Sequence, residues 1–291
     1  MTKGRQLKIY LADGTVSGIR HAEIVNWTGQ ALAIPRVKIK DLDGWEEVHR
    51  PGVYFLFGYD DEVSRLAAYI GEAENITKRL QQHLSSKDFW NEAICFTNKD
   101  ENLTKAHIKY LESRLIELSL HANRYQLDNG NQPPQSSLPR GERDAMEEFL
   151  ENIRTLLGTL GHKLLEPVVK TTASEQTSSS EPNQDLVTLK GRKYKATAQL
   201  TSEGIVVLKG SEGSISANQS LSKGYTKIRD NLIDKGLLIE ENSKLVATDD
   251  ILFTSSSQAA AVLLGYPCNG LDYWIDNKGQ SLKQRESLVD G

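Results

Sequence analysis

Hydrophobic residues fall along the chain in short runs and regular spacings that predict a mixed α/β protein. Gly52-Val53-Tyr54-Phe55-Leu56-Phe57-Gly58 is a run of β-branched and aromatic residues bounded by glycines, which predicts a strand. An acidic Asp60-Asp61-Glu62 turn follows, and Leu66 to Gly71 predicts a second strand that closes a hairpin. Ile76, Leu80 and Leu84 then recur at helical spacing behind Asn75, a residue type that caps helices. Ala93 to Phe96 reads as a third strand, and Thr104 to Leu120 as a helix with Ile108, Leu111, Leu115 and Leu118 as its buried stripe. Asp128 to Gly141 is a loop rich in Asn, Gln and Pro. Glu142 to Leu160 returns to helix, with Gly161 placed to end it.

Upstream, Leu7 to Leu11 reads as a strand, Asp13-Gly14 as a turn, Ser17 to Trp27 as a short helix capped by Ser17, and Ala31 to Pro35 as extended chain. Residues 1–49 are therefore expected as an extension packed on a domain spanning residues 50–168. The Ser/Thr/Glu-rich stretch that follows has almost nothing to bury, so residues 169–185 are expected as a flexible linker. Residues 186–291 then form a second, smaller α+β domain. Its expected elements are strands at 193–200 and 204–208, a helix at 224–235, a hairpin around Glu241-Asn242-Ser243, and a helix at 255–264 ended by Gly265. The fold class is α/β (α+β): a small sheet with flanking helices, plus this second domain.

Composition narrows the picture. The chain has 291 residues, 38% hydrophobic and 25% charged, enough apolar material for a core in each of two domains. Its two cysteines rule out a four-cysteine zinc site and speak against a disulfide framework. No signal peptide and no membrane-spanning run is evident, so a cytoplasmic protein with no membrane partner is expected. The net charge of -4 gives no help to a nucleic-acid binder, although it says nothing about clustering.

The candidate chemistry lies in two tripeptides, Gly52-Val53-Tyr54 and Tyr69-Ile70-Gly71, on neighbouring strands that can set two phenols side by side. Arg79 and His83 stand four residues apart and so share one helix face. Glu112 comes from the next long helix. Phosphodiester cleavage needs this kind of set: a group to activate water, a cation to hold the phosphate, and a carboxylate to hold a Lewis-acidic metal ion.

This pattern resembles the GIY-YIG nuclease family over about residues 50 to 125. Gly-Val-Tyr is a conservative change from the family's first tripeptide, and Tyr-Ile-Gly matches the second. Gly71 through Leu80 is similar to the family's strand-to-helix passage ending at the helix arginine, Arg79. His83 stands where the family has His or Tyr, Leu111-Glu112 resembles the metal-binding helix, and Asn123 the asparagine that closes the module. The resemblance implies a DNA endonuclease using Mg²⁺ or Mn²⁺, in a bacterial restriction, defence or repair setting. In it Tyr54 accepts the water's proton, Tyr69 positions water or phosphate, and the two can exchange roles. Arg79 clamps the phosphate, His83 relays a proton or orients Tyr54, Glu112 binds the metal, and Asn123 supports the phosphate edge. Two departures stand against this. Glu72 follows the second tripeptide where relatives carry Lys or Arg, and residues 52–125 hold nine basic residues against eleven acidic ones. A catalytically weak or inactive nucleic-acid-binding protein that keeps the fold is the alternative.

Each residue also has a structural reading. The tyrosines can be strand aromatics, Arg79 and Glu112 solvated helix charges, and Asn123 a helix C-cap. His107, His121 and His162 read as ordinary. In the second domain, Lys190, Arg192, Lys193 and Lys195 interleave with Tyr194, either to contact a phosphate backbone or to protect a strand edge. Lys227 and Arg229 on the 224–235 helix, followed by a hairpin, resemble a winged-helix reader. Phe253 to Ala261 and Asn269 to Trp274 resemble a C-terminal accessory domain of unassigned function found with some bacterial GIY-YIG proteins. That domain would recruit nucleic acid or a protein partner.

Overall fold

The computed structural model describes residues 4–60, 65–130, 136–167, 186–190 and 193–287. The chain is an α+β protein of two compact units that divide after Pro167. The expected linker at 169–185 lies outside the described residues, as do Asp61 and Glu62 of the acidic turn, and Arg192.

The first unit contains β1 (Leu7–Leu11), β2 (Arg20–Ile24), β3 (Gly29–Pro35), 3-10 helices at Arg36–Gly44 and Glu46–His49, β4 (Gly52–Asp60), β5 (Arg65–Ala73), α1 (Ile76–Ser86), β6 (Trp90–Asn98), α2 (Lys105–Ala122), β7 (Gln126–Leu127) and α3 (Arg140–Thr159). Among the described residues its strands form one sheet in the order β1-β2-β3-β6-β4-β5-β7, antiparallel except for β5 with β7. The segment before β4 therefore supplies three strands of the sheet itself.

The helix expected over Ser17 to Trp27 is a correction: this stretch is β2 and the turn after it. Ala22 and Ile24 alternate inward at period two, and Asn26, at φ 66°, turns the chain into β3. A helix would have scattered those side chains around its axis.

The central strands are buried on both faces, and period two sorts their residues. Val53, Phe55 and Phe57 of β4 face α2 and α3, with Ile70, Ile94, Leu111, Leu115, Ile153 and Leu157. Tyr54 and Leu56 face the other way, against Ile76 and Leu80 of α1 and Ile39 and Leu42 of the first 3-10 helix. Asn75 caps α1 by accepting from the Lys78 amide at 3.0 Å. Arg36 holds the far end of α1: its guanidinium donates to the carbonyls of Leu84 and Lys87 and lies over the Trp90 ring. α3 ends at Gly161, at φ 106°, where the His162 amide donates back to the Leu157 carbonyl.

The second unit contains β8 (Leu186–Leu189), β9 (Thr197–Thr201), β10 (Gly204–Val207), β11 (Glu212–Gly213), α4 (Lys223–Asp234), β12 (Leu238–Glu241), β13 (Lys244–Ala247), β14 (Ile251–Phe253), α5 (Ser256–Leu264), α6 (Gly270–Tyr273), β15 (Trp274–Ile275) and α7 (Leu282–Ser287). One sheet runs β14-β10-β9-β8-β15 and a smaller one β11-β13-β12. Six consecutive residues of α5, Ala259 to Leu264, are buried, so this helix is the centre of the unit's core. Gly265 ends α5 in the left-handed region, and Trp274 is a core residue whose indole donates to the Ser256 carbonyl at 2.9 Å. Arg229, taken from sequence as a surface residue of a nucleic-acid reader, is only 2% exposed. Its guanidinium donates to the carbonyls of Val262, Ser214 and Ile215, so it ties α4 to the core and cannot reach a groove. Among the described residues, no helix is long and apolar enough to cross a membrane.

Candidate active site

β4 and β5 pair in register, with Tyr54 opposite Gly71 and Leu56 opposite Tyr69. Directly opposed residues share a face, so both tyrosines project toward α1. Their rings lie 6.2 Å apart, and His83 packs against both, 5.7 Å from Tyr54 and 5.2 Å from Tyr69. Tyr54 Oη stands 2.9 Å from His83 Nε2, and Arg79 Nε donates to Tyr54 Oη at 3.4 Å. Arg79 and His83, one turn apart on α1, thus meet two phenols presented by one hairpin.

The electrostatics follow from enclosure. Burial, then the charges of Arg79 and Lys87, holds the His83 imidazole down at about 4, so it is neutral near pH 7. A neutral ring can accept at Nε2 with its proton on Nδ1, which faces Ser86 Oγ at 3.4 Å. Tyr54 accepts from Arg79, which leaves its own proton for Nε2. Burial, and after it Tyr69, pushes the Tyr54 phenol well above its usual value. Tyr54 is fully enclosed, whereas Tyr69 is half-buried.

Glu112 lies on α2, which packs on the other face of the sheet from α1. Among the described residues β5 pairs with β7 only at Ala67 and Ala68, so beyond them its outer backbone groups need other partners. The Asn129 side chain supplies them at Ile70: Oδ1 accepts from the Ile70 amide at 3.0 Å and Nδ2 donates to its carbonyl at 2.8 Å. Burial, and then the Glu72 carboxylate, pushes Glu112 up to about 7, while Arg79 pulls it back. Arg79 is the link: it bonds Tyr54, its charge acts on Glu112, and it is exposed, with Nη1 on Gln82 Oε1 at 3.0 Å.

Asn123 takes the other role open to it. It is the α2 C-cap in the left-handed region, at φ 48°. Eleven residues of helix separate it from Glu112, roughly 16 Å at the usual rise per residue. Asn129 is the asparagine that meets the Tyr-Ile-Gly strand. Sequence reading also passed over Lys87, whose ammonium lies 4.3 Å from the centre of the Tyr69 ring and pairs with Asp128. Asp128-Asn129-Gly130 read as loop punctuation, and nothing local in it marks a strand-edge partner. His162 likewise proved more than ordinary: it stacks on Phe57 and bonds Glu92 at 2.8 Å, which also pairs with Arg20.

Glu72 and Glu112 are the residues that could hold a divalent metal ion. Among the described residues no group of three or more His, Cys, Asp and Glu side chains is gathered. Glu72 and Glu112 do bring two carboxylates close enough for one to raise the other. One or two carboxylates, with water completing the shell, is the donor set that Mg²⁺ takes.

In the second unit, Lys190 and Lys193 are exposed at the rim of a cavity, and Lys193 lies 5.2 Å from the centre of the Tyr194 ring. Lys195 stands apart, beside the Glu212–Lys244 ion pair.

Residues 187–286 match the model of a domain of unknown function, DUF4357. A C-terminal domain of unassigned function, as expected from sequence, is thereby found, while no family match supports the resemblance over residues 50 to 125. Comparison with curated proteins and with solved structures gave no match.

Proposed function

We propose that the first unit is a divalent-cation-dependent endonuclease that hydrolyses phosphodiester bonds in DNA. The observation that carries this reading is the convergence of Tyr54, Arg79 and His83 in one hydrogen-bonded cluster, with the Tyr69 ring packed against Tyr54 and His83 and the charge of Arg79 acting on Glu112. A Tyr-Arg-His cluster beside a carboxylate pair suits a phosphate better than a sugar or a peptide, because guanidinium matches phosphate oxygens.

Arg79 holds the scissile phosphate, since its exposed guanidinium has donors beyond those given to Tyr54 and Gln82. Tyr69 orients the attacking water. Tyr54 and the neutral His83 keep Arg79 and Tyr69 in place, and Tyr54 stays a phenol at neutral pH. Glu112, with Glu72 beside it, holds Mg²⁺ or Mn²⁺. When bound, the ion supplies Lewis-acid stabilisation of the charge that develops on the phosphate.

The test is a metal titration of supercoiled-plasmid cleavage with the full chain beside Glu112→Ala and Arg79→Ala, and structured RNA as a second substrate. Metal-dependent nicking lost in both variants supports the reading, and cleavage of RNA alone redirects it. The enclosure of Tyr54 and the acidic Glu72 favour a second reading, a nucleic-acid-binding protein that keeps the fold without catalysis. Plasmid retardation with no nicking at any metal concentration selects it.

A further inference from the structure

The second unit carries a cavity of about 440 Å³ built from its own residues. Lys190 and Lys193 stand at its rim, Tyr194 and Tyr266 in its walls, and Ser216 and Asn218 offer a hydroxyl and an amide. Tyr273 meets Tyr266 edge-on, 6.3 Å between centroids at 69°, and so fixes that ring. Beneath the lining lies the buried Arg229 guanidinium, bonded to the carbonyl of Ser214, itself a lining residue. Its partners are backbone carbonyls, which satisfy its hydrogen bonds without cancelling its charge. The Ser214 side chain, and after it Lys193 and Arg229, holds the Tyr194 phenol below its usual value.

We propose that this cavity binds a nucleotide, with its phosphate on Lys190 and Lys193 and its base against Tyr194 and Tyr266. The volume lies within the usual range for small-molecule sites. Two rigid aromatic rings beside cations are what a flat heterocycle carrying a phosphate requires, since bases stack on tyrosine whatever their identity and phosphate seeks lysine. Ser216 and Asn218 can bond the edge of the base. A free nucleotide and one residue of a single strand share this chemistry. The inference does not rest on cleavage by the first unit.

The experiment measures anisotropy of a fluorescein-labelled oligothymidylate of about ten nucleotides on the full chain in EDTA, so that binding alone is read. Thymidine monophosphate serves as competitor and labelled heparin as a control polyanion. Ala217→Trp fills the cavity from an exposed lining position and leaves both lysines in place. Ala217→Trp and the double variant Lys190→Ala/Lys193→Ala are each expected to weaken oligonucleotide binding about tenfold or more. Loss of the lysine pair should also reduce the salt slope by about 1.4. Heparin binding should survive Ala217→Trp. Competition by the monophosphate identifies a free-nucleotide site, and its failure with oligonucleotide binding intact identifies a strand site. An Ala217→Trp protein that melts like wild type and binds the oligonucleotide equally well overturns the proposal. So does equal loss of heparin, which marks a general basic surface, or no oligonucleotide binding by wild type.

Discussion

The Tyr54 hydroxyl lies over Gly71, its register partner across β4 and β5, so closely that a Cβ at position 71 would overlap it. The second tripeptide ends in glycine because the tyrosine of the first needs that space. Gly71→Ala should push the hydroxyl away from His83 and Arg79. Urea unfolding is expected to report a loss of about 1–3 kcal/mol, the cost of overpacking, together with loss of plasmid nicking. Normal stability with normal nicking would show that the overlap is relieved elsewhere.

The two phenols should differ. Tyr69→Phe is expected to lower the cleavage rate by about 100-fold or more with the fold intact, because it removes a hydroxyl that addresses water. Tyr54→Phe removes a hydroxyl bonded to Arg79 and His83, so it should also cost about 1–2 kcal/mol of stability. Single-turnover rates and melting curves, taken side by side, separate the two. Equal rate loss from both with equal stability would assign them one shared role.

Glu112 has a folded pKa of about 7 against an ordinary 4.5. Below the ordinary value both states are protonated and it contributes nothing. As pH rises from the ordinary value toward the folded one, the unfolded chain ionises first and the fold carries a growing penalty, complete above the folded value. In EDTA, Glu112→Gln should therefore stabilise the protein at pH 8, by on the order of 1 kcal/mol after allowance for solvent screening, and leave it unchanged at pH 4. Denaturation at the two pH values checks this. Metal-dependent cleavage should decline below about pH 7, since a protonated carboxyl is a poor ligand.

Glu92 behaves in the opposite sense. Burial pushes its carboxyl up, but the hydrogen bond with His162 and the charge of Arg20 outweigh that and hold it below 4.5. Its contribution is present in full above the ordinary value and is lost as pH falls through the folded one. Glu92→Gln should cost about 1–3 kcal/mol at pH 7, and the gap from wild type should narrow in acid. A constant gap from pH 7 to pH 3 would dismiss the ionic contribution.

Much of this was legible in the sequence wherever a residue's neighbours are local. The alternation through β4, the 76–80–84 spacing of α1 and the stripe of α2 each announce their own element. Ser17 to Trp27 misled because Ser17 resembles a cap, while the strand pairing that decides its conformation comes from β1 and β3, apart in the chain. Asn129 and Lys87 escaped notice for the same reason. Their roles at Ile70 and Tyr69 exist only once β5 has become the outer strand at that point. Arg229 was misplaced because a cation on a polar helix gives no sign that three carbonyls await it inside.

The side chain of Asn129 does at Ile70 what a further strand would do. It occupies one amide and one carbonyl that would otherwise invite a second molecule to add its own strand there. Asn129→Ala should thus bring a liability unrelated to chemistry, namely concentration-dependent association visible by light scattering. A single amide group thus covers two backbone groups of this margin.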